Sequence, residues 1–312
     1  MKTTLLLATA LVATSAMAQT PFYSNDFETG TIGTGCSQVG SGEVVKMVDT
    51  KFNYVYHNMP ADGSIRSNYL LLPNGVLNND DVKTNLALTI QLWVNVANAE
   101  NYWFSPLFAA YGAAPANGVN TFPMMAIQSR LLTQINCWGW CDFTASDNVT
   151  GTNFESTAWL DDKEWHLVTA TYTPTDTKIY MDTELKNHWT TDGSDGEYVQ
   201  GMLEHPDLIP YVCVSGNQAW DWGDNDPTYY IDDIALYAEV LTEDQIKTIY
   251  DKKKSSTGIG TAIAASEVIR TEYFGIDGTK LGESYNALPA GVYVVRTTRA
   301  DQSRETCKIV KR

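Results

Sequence analysis

The chain is short of histidine, of basic residues and of long apolar runs, and each shortage removes a class of function. It has four histidines in 312 residues, none paired with a serine, so a Ser–His–Asp hydrolase triad is unsupported. Lys and Arg number 21 against 37 Asp and Glu, a net charge of −16. So acidic a chain repels nucleic acid and anionic membrane surfaces, and neither is expected as a partner. Apart from the first residues, no stretch approaches the roughly eighteen apolar residues of a membrane helix. Cys137 and Cys141 lack the further thiolates or imidazoles nearby that zinc would need.

What is present divides the chain into four parts. Residues 1–18 combine Lys2, an apolar run over Leu5–Val12 and the small-residue site Ala16-Met17-Ala18. That is the pattern of a secretory signal, so export is expected, either into the medium or to the outer cell surface. Residues 19–253 are long enough to bury a full two-sheet core. A linker over 254–262 contains Ser255-Ser256-Thr257-Gly258, a flexible composition. Residues 263–312 form a second unit. Charge supports the partition: residues 19–257 hold 31 acidic and 12 basic side chains, and residues 258–312 hold 6 and 8.

Three segments carry the fold signal. Trp165–Tyr172 is rich in aromatic and β-branched residues, without Gly or Pro, which favours a strand. Pro174 and Asp176 supply turn chemistry before a returning strand at Lys178–Met181. After a strand over Ile231–Tyr237, Thr242 and Gln245 are spaced for a capping box, and Leu241 and Ile246 for a hydrophobic staple. Lys252–Lys254 lie beyond the expected last turn, which suits the helix dipole. In order and spacing, WHLVTATY, KIYMDTEL and YYIDDIALYAEVLTEDQIKTIY resemble the laminin-G-like, concanavalin A-like lectin/glucanase family. The resemblance implies an all-β fold, a two-sheet antiparallel β-sandwich (jelly roll) with one short helix. Where the family has Asp-Gly, this chain has Asp182-Thr183, so that turn is expected to differ in type or length.

In the second unit, Val268–Phe274, Gly291–Thr298 and Glu305–Val310 read as strands of a small C-terminal β-domain. Its strings Pro289–Val295 and Cys307–Arg312 resemble the sorting domain of the type IX secretion system. That implies recognition by export machinery; the other reading is an ordinary small β-domain.

The sandwich resemblance also implies a metal. Many members place their first and last strands side by side and share a structural Ca²⁺ between them. Asp232 matches the ligand position, with Asp26 or Glu28 as its partner, and hard oxygen donors suit calcium. Strand alternation turns one of Asp232 and Asp233 inward, where an uncompensated carboxylate is costly. The alternative is a pair of carboxylates capping the sandwich edge through backbone bonds.

Nine tryptophans all precede residue 258. Trp93 and Trp165 sit in strand patterns and read as core. Trp138, Trp140, Trp220 and Trp222 stand in turn-rich segments, the latter two beside Asp224 and Asn225. Stacking faces beside polar acceptors suit a sugar; the competing reading is Trp filling space between sheets. The Glu-x-Asp-x-x-Glu string of laminarinase-like members is absent, and Asp161-Asp162-x-Glu164, the nearest cluster, reads as a turn. Gln128, Arg130, Gln134 and His166 do not form the motifs of the alginate-lyase variants. The expected function is recognition of a neutral glycan or glycosylated surface. The alternatives are a glycan-cleaving enzyme with carboxylates from separate strands, and a protein-binding adhesin. In an oxidising compartment Cys137, Cys141, Cys36 and Cys213 are candidates for disulfides, their connectivity open.

Overall fold

The computed structural model describes residues 19–47, 51–58, 68–96, 106–114, 123–136, 141–142, 160, 162–190, 193–215, 228–255, 268–276, 278–282, 284–299 and 304–311. The chain divides into two compact units between Gly258 and Ile259. The larger unit contains, in order, β1 (Tyr23–Asn25), β2 (Ser37–Val39), β3 (Glu43–Lys46), β4 (Tyr54–His57) and β5 (Tyr69–Leu71). Helix α1 (Asp80–Asn85) then precedes β6 (Leu88–Val96), β7 (Pro106–Tyr111), β8 (Met124–Gln128), β9 (Thr133–Asn136) and β10 (Cys141–Asp142). A three-strand run follows, β11 (Trp165–Thr173), β12 (Asp176–Met181) and β13 (Glu184–Thr190). Helix α2 (Gly193–Glu204), β14 (Tyr211–Val214), β15 (Tyr229–Tyr237) and helix α3 (Glu243–Ser255) complete it.

Two antiparallel sheets result. The eight-stranded sheet runs β13-β12-β11-β6-β15-β4-β3, with β1 also paired to β15. The seven-stranded sheet runs β10-β9-β8-β7-β14-β5-β2. The expected jelly-roll sandwich is therefore present, and its first and last strands are neighbours, with Asn25 opposite Ile234. The sequence suggested one helix in this unit; α1 and α2 are additional. Asn79 caps α1, accepting from the Asp81 and Val82 amides, a signal present in the sequence. Helix α2 contains three glycines, which hide it from propensity.

Side-chain alternation builds the core. Along β6, Leu88, Ile90, Leu92, Val94 and Val96 enter the inter-sheet core with Val168, Ala170 and Tyr172 of β11. Trp93 points the other way, into a second cluster with Phe52, Leu167, Tyr237, Leu241 and Ile246 beneath α3. A buried hydroxyl chain ties the two sheets together. Thr133 on β9 donates to the Ala126 carbonyl at 2.8 Å, and the Tyr172 hydroxyl lies 2.8 Å from Thr133 Oγ1. Thr133 has spent its one proton on Ala126, so Tyr172 is the donor.

Strand β15 breaks its own alternation. Asp232 is opposite Trp93 and Ala235 opposite Gln91, so Asp233 and Ile234 stand against Leu92 alone, which is a β-bulge. Asp233 sits within it at φ 45°. The extra residue returns Ile234 and Leu236 to the inter-sheet core alongside Tyr229 and Ile231. Simple alternation would have put one of Asp232 and Asp233 there; the bulge spares the core both.

Helix α3 starts as expected. The Thr242 amide donates to Gln245 Oε1 at 2.7 Å, and the Gln245 amide donates to Thr242 Oγ1 at 3.3 Å. Leu241 and Ile246 are both buried. The helix runs to Ser255, so Lys252–Lys254 belong to its last turn and not to the segment beyond it. The Asp182-Thr183 turn has its first residue at φ 60°. Asp182 is held there by its amide donating to the Leu167 carbonyl at 2.7 Å and its Oδ1 accepting from the Leu167 amide at 3.0 Å.

The smaller unit is an antiparallel sheet of β16 (Val268–Phe274), β17 (Lys280–Gly282), β18 (Gly291–Arg299) and β19 (Arg304–Lys311), ordered β17-β16-β18-β19.

Candidate functional site

Along its middle strands β5, β14, β7 and β8, the outward face of the seven-stranded sheet carries an apolar, largely buried cluster. Tyr211 stands opposite Tyr111, which faces Met124 on its other side. The next row runs Leu71, Cys213, Ala109 and Ala126, so small side chains fill the middle of the face. Tyr69 joins the same cluster. Strands β2, β5, β7, β8, β9 and β14 contain no Asp or Glu. Among the described strands of this sheet, Asp142 on β10 is the one acidic residue.

The expected sugar-binding residues Trp138, Trp140, Trp220, Trp222, Asp224 and Asn225 lie outside the described residues, but their anchors are described. Segment 137–140 joins β9 to β10. Segment 216–227 follows β14 and Ser215. Asn136 pairs with Met124, at the Tyr111 end of the sheet. Strand β14 begins at that end and finishes with Val214 opposite Phe108; the Ser215 amide then donates to the Leu107 carbonyl. The two Trp-bearing segments thus leave the sheet at opposite ends, about four strand residues or roughly 13 Å apart along it. Ser215, where the second departs, has φ 54° and a buried Oγ without a hydrogen-bond partner.

The residues expected to bind calcium each have a partner within the protein. Asp232 is fully buried; its Oδ1 accepts from the Asp233 amide at 2.8 Å and its Oδ2 from Lys253 Nζ at 2.8 Å. Lys253 lies 2.8 Å from Asp233 Oδ2 as well. Asp26 is exposed, with Oδ1 accepting from the Glu28 amide at 3.1 Å. Glu28 Oε2 accepts from Asn53 Nδ2 at 2.7 Å. Among the described residues no group of three or more His, Cys, Asp or Glu could hold a metal ion. Calcium takes six to eight oxygens, and Asp26, Glu28 and Asp232 do not assemble such a set. The physical reason is the direction of Asp232: it points beneath α3, where an ammonium meets it. Burial would lower the Lys253 pKa, but the charges of Asp232 and Asp233 outweigh burial and raise it.

The family model of the concanavalin A-like lectin/glucanases superfamily matches residues 62–247. The chain belongs to that superfamily. No curated protein matches the sequence. Among solved structures, domain 4 of AbnA, a GH43 extracellular arabinanase from Geobacillus stearothermophilus in complex with arabinotriose, superposes with a TM-score of 0.50. Identity is 12%, over 75% of this chain and all of that domain. The botulinum neurotoxin type C structure on cell entry through two ganglioside molecules aligns with a TM-score of 0.43 and 11% identity, covering 87% of this chain and 67% of that one. The binding domain of botulinum neurotoxin DC in complex with SialylT gives 0.40 and 13%, covering 87% and 68%. At these identities the overlay with AbnA concerns the fold alone, and the two toxin overlays add nothing to it.

Two further groups of this superfamily member were not singled out as sites from its sequence or differ from expectation. Cys36 is a free, half-buried thiol, and Cys213 is buried. Cys36 lies 3.4 Å from the Tyr23 hydroxyl and is approached by Asn25 Nδ2 at 3.8 Å. Cys137 lies outside the described residues, and the register puts Cys141 opposite Ile135. His166 is clamped: Nδ1 is 3.0 Å from Asp182 Oδ2, and Nε2 is 3.0 Å and 3.1 Å from the Asp162 oxygens. The bond to Asp182 raises the His166 pKa, burial opposes it, and Asp162 adds to the rise. The one advance signal was Asp182-Thr183 in place of the family's Asp-Gly turn.

Proposed function

We propose that the protein is an exported glycan-binding module of the concanavalin A-like superfamily. The observation that carries this reading is the character of the seven-stranded sheet. Six of its seven strands lack any carboxylate, while both of its ends lead into segments carrying tryptophans. Glycoside hydrolysis needs two carboxyl groups flanking the scissile bond, and the strands of this sheet do not offer a pair. Stacking on Trp138, Trp140, Trp220 and Trp222, with Asp224 and Asn225 as polar partners, needs none. A superfamily neighbour of the same fold was solved with arabinotriose, which supports a neutral oligosaccharide. The excess of acidic side chains in residues 19–257 also disfavours a polyanionic ligand. The C-terminal unit would serve export or surface anchoring.

The test is a glycan array probed with the full chain, followed by titration calorimetry on the strongest hits. Replacing Trp220 and Trp222 together with Ala is expected to weaken binding at least tenfold, about 1.4 kcal/mol. Release of new reducing ends from a bound polysaccharide would sink the non-catalytic reading. Absence of binding to any neutral glycan would sink the ligand class.

A further inference from the structure

We infer that Lys253 is the built-in structural cation of this sandwich, doing with an ammonium what its resemblance to the superfamily assigned to calcium. Four observations meet at one atom. The bulge in β15 gives Asp232 and Asp233 a common target, and Lys253 Nζ lies 2.8 Å from an oxygen of each. The Asp232 side chain has no exposed surface, and that of Lys253 is 12% exposed, so the pair is largely withdrawn from water. Nζ also lies 4.7 Å from the centre of the Phe52 ring, within cation–π range. Phe52 in turn stacks on Trp165 at 3.9 Å and meets Trp93 edge-on at 5.3 Å, which holds that ring in place. Finally, Lys253 is in the last turn of α3, where the partial negative charge of the helix end favours a cation.

Donor counting explains why a lysine suits this position. Calcium needs six to eight oxygens at a common centre. An ammonium has three N–H donors, and a bulge presenting two carboxylates satisfies most of them. The lysine also contributes its stem to packing, which a free ion does not. It comes from 21 residues further along the chain, so the cation is delivered by the folding of α3 rather than captured from solution. Divalent ions should therefore be irrelevant to the stability of the larger unit.

Thermal unfolding of the full chain tests this, followed by tryptophan fluorescence with EDTA, without additive and with millimolar calcium. The three midpoints are expected to coincide. Lys253→Met should melt lower and Lys253→Arg should recover part of the loss. Lys253→Met combined with Asp232→Asn should fall short of the summed single losses, because the orphaned buried charge is then gone. A wild-type midpoint raised by calcium and lowered by EDTA, with the response abolished in Asp232→Asn, would overturn the inference. So would a Lys253→Met protein that melts like wild type. If Lys253→Met does not fold, the response of the wild type to EDTA and calcium still decides.

Discussion

The hydroxyl chain between the sheets makes an asymmetric prediction, because its two members stand in different positions. Tyr172 donates to Thr133 Oγ1, and Thr133 donates to the Ala126 carbonyl, both at 2.8 Å and both buried. Tyr172→Phe removes the donor and leaves Thr133 still bonded to Ala126. Its cost is the net worth of one neutral hydrogen bond, about 1 kcal/mol. Thr133→Val removes the acceptor, strands a phenol donor in the core and also deletes the bond to the Ala126 carbonyl. That adds a desolvation penalty of about 1–3 kcal/mol to two lost bonds of about 1 kcal/mol each, so about 3–5 kcal/mol in all. For a unit of this size the melting shifts should be about 2–4 °C and about 6–20 °C respectively. In the double variant no phenol is stranded, and its loss should fall short of the sum by about 1 kcal/mol or more. The assay is urea unfolding of the full chain by tryptophan fluorescence. All nine tryptophans precede residue 258, so the signal reports the larger unit alone. A Thr133→Val loss no greater than that of Tyr172→Phe, or strict additivity, would refute the assigned direction of the bonds.

The other expectations concern the clamp and the helix start. His166 has its folded-state pKa raised by Asp182 and Asp162. Its contribution is therefore fully present below the unfolded value of about 6.5 and is lost as pH rises through the higher folded value. Melting midpoints taken from about pH 5.5 to about pH 8.5 should fall in that window more steeply in the wild type than in His166→Gln; identical profiles would rule the clamp out. Thr242→Ala breaks the side-chain half of the capping box and should cost about 0.5–2 kcal/mol. Hydrogen exchange in the first turn of α3 should accelerate, and unchanged protection would show that the cap does not hold the helix.

Much of the sandwich was legible because its signals are local. Trp165–Tyr172 declares a strand through composition, and Thr242 with Gln245 declares a helix start through spacing; both lie where expected. Three of the four strands of the smaller unit were equally plain, while the three-residue β17 was too short to show. The misses share a different cause. The bulge at Asp232–Asp233 has no glycine to mark it, since the cost of Asp233's positive φ is offset by the Lys253 contact. Lys253 itself looked like a helix-end charge, and only the docking of α3 reveals its target. For the site, residue types were readable but placement was not. Composition alone grouped Trp138 with Trp220, and only sheet register shows their segments rooted at opposite ends.

The bulge in β15 gives this strand something like a reading frame. Ile234 and Leu236 face the inter-sheet core, and Ala235 and Tyr237 face α3, because the bulge absorbs one acidic residue before them. Deleting Asp233 would leave that frame intact, since Ile231, Asp232 and Ile234 would then alternate plainly and Ile234 and Leu236 would still face the core. Losing Ile234 instead would keep the bulge and invert every side chain downstream, driving Tyr237 toward the core. A frameshift of this kind is silent in composition and nearly silent in hydropathy. Deletion of one residue should therefore be far better tolerated at Asp233 than at Ile234.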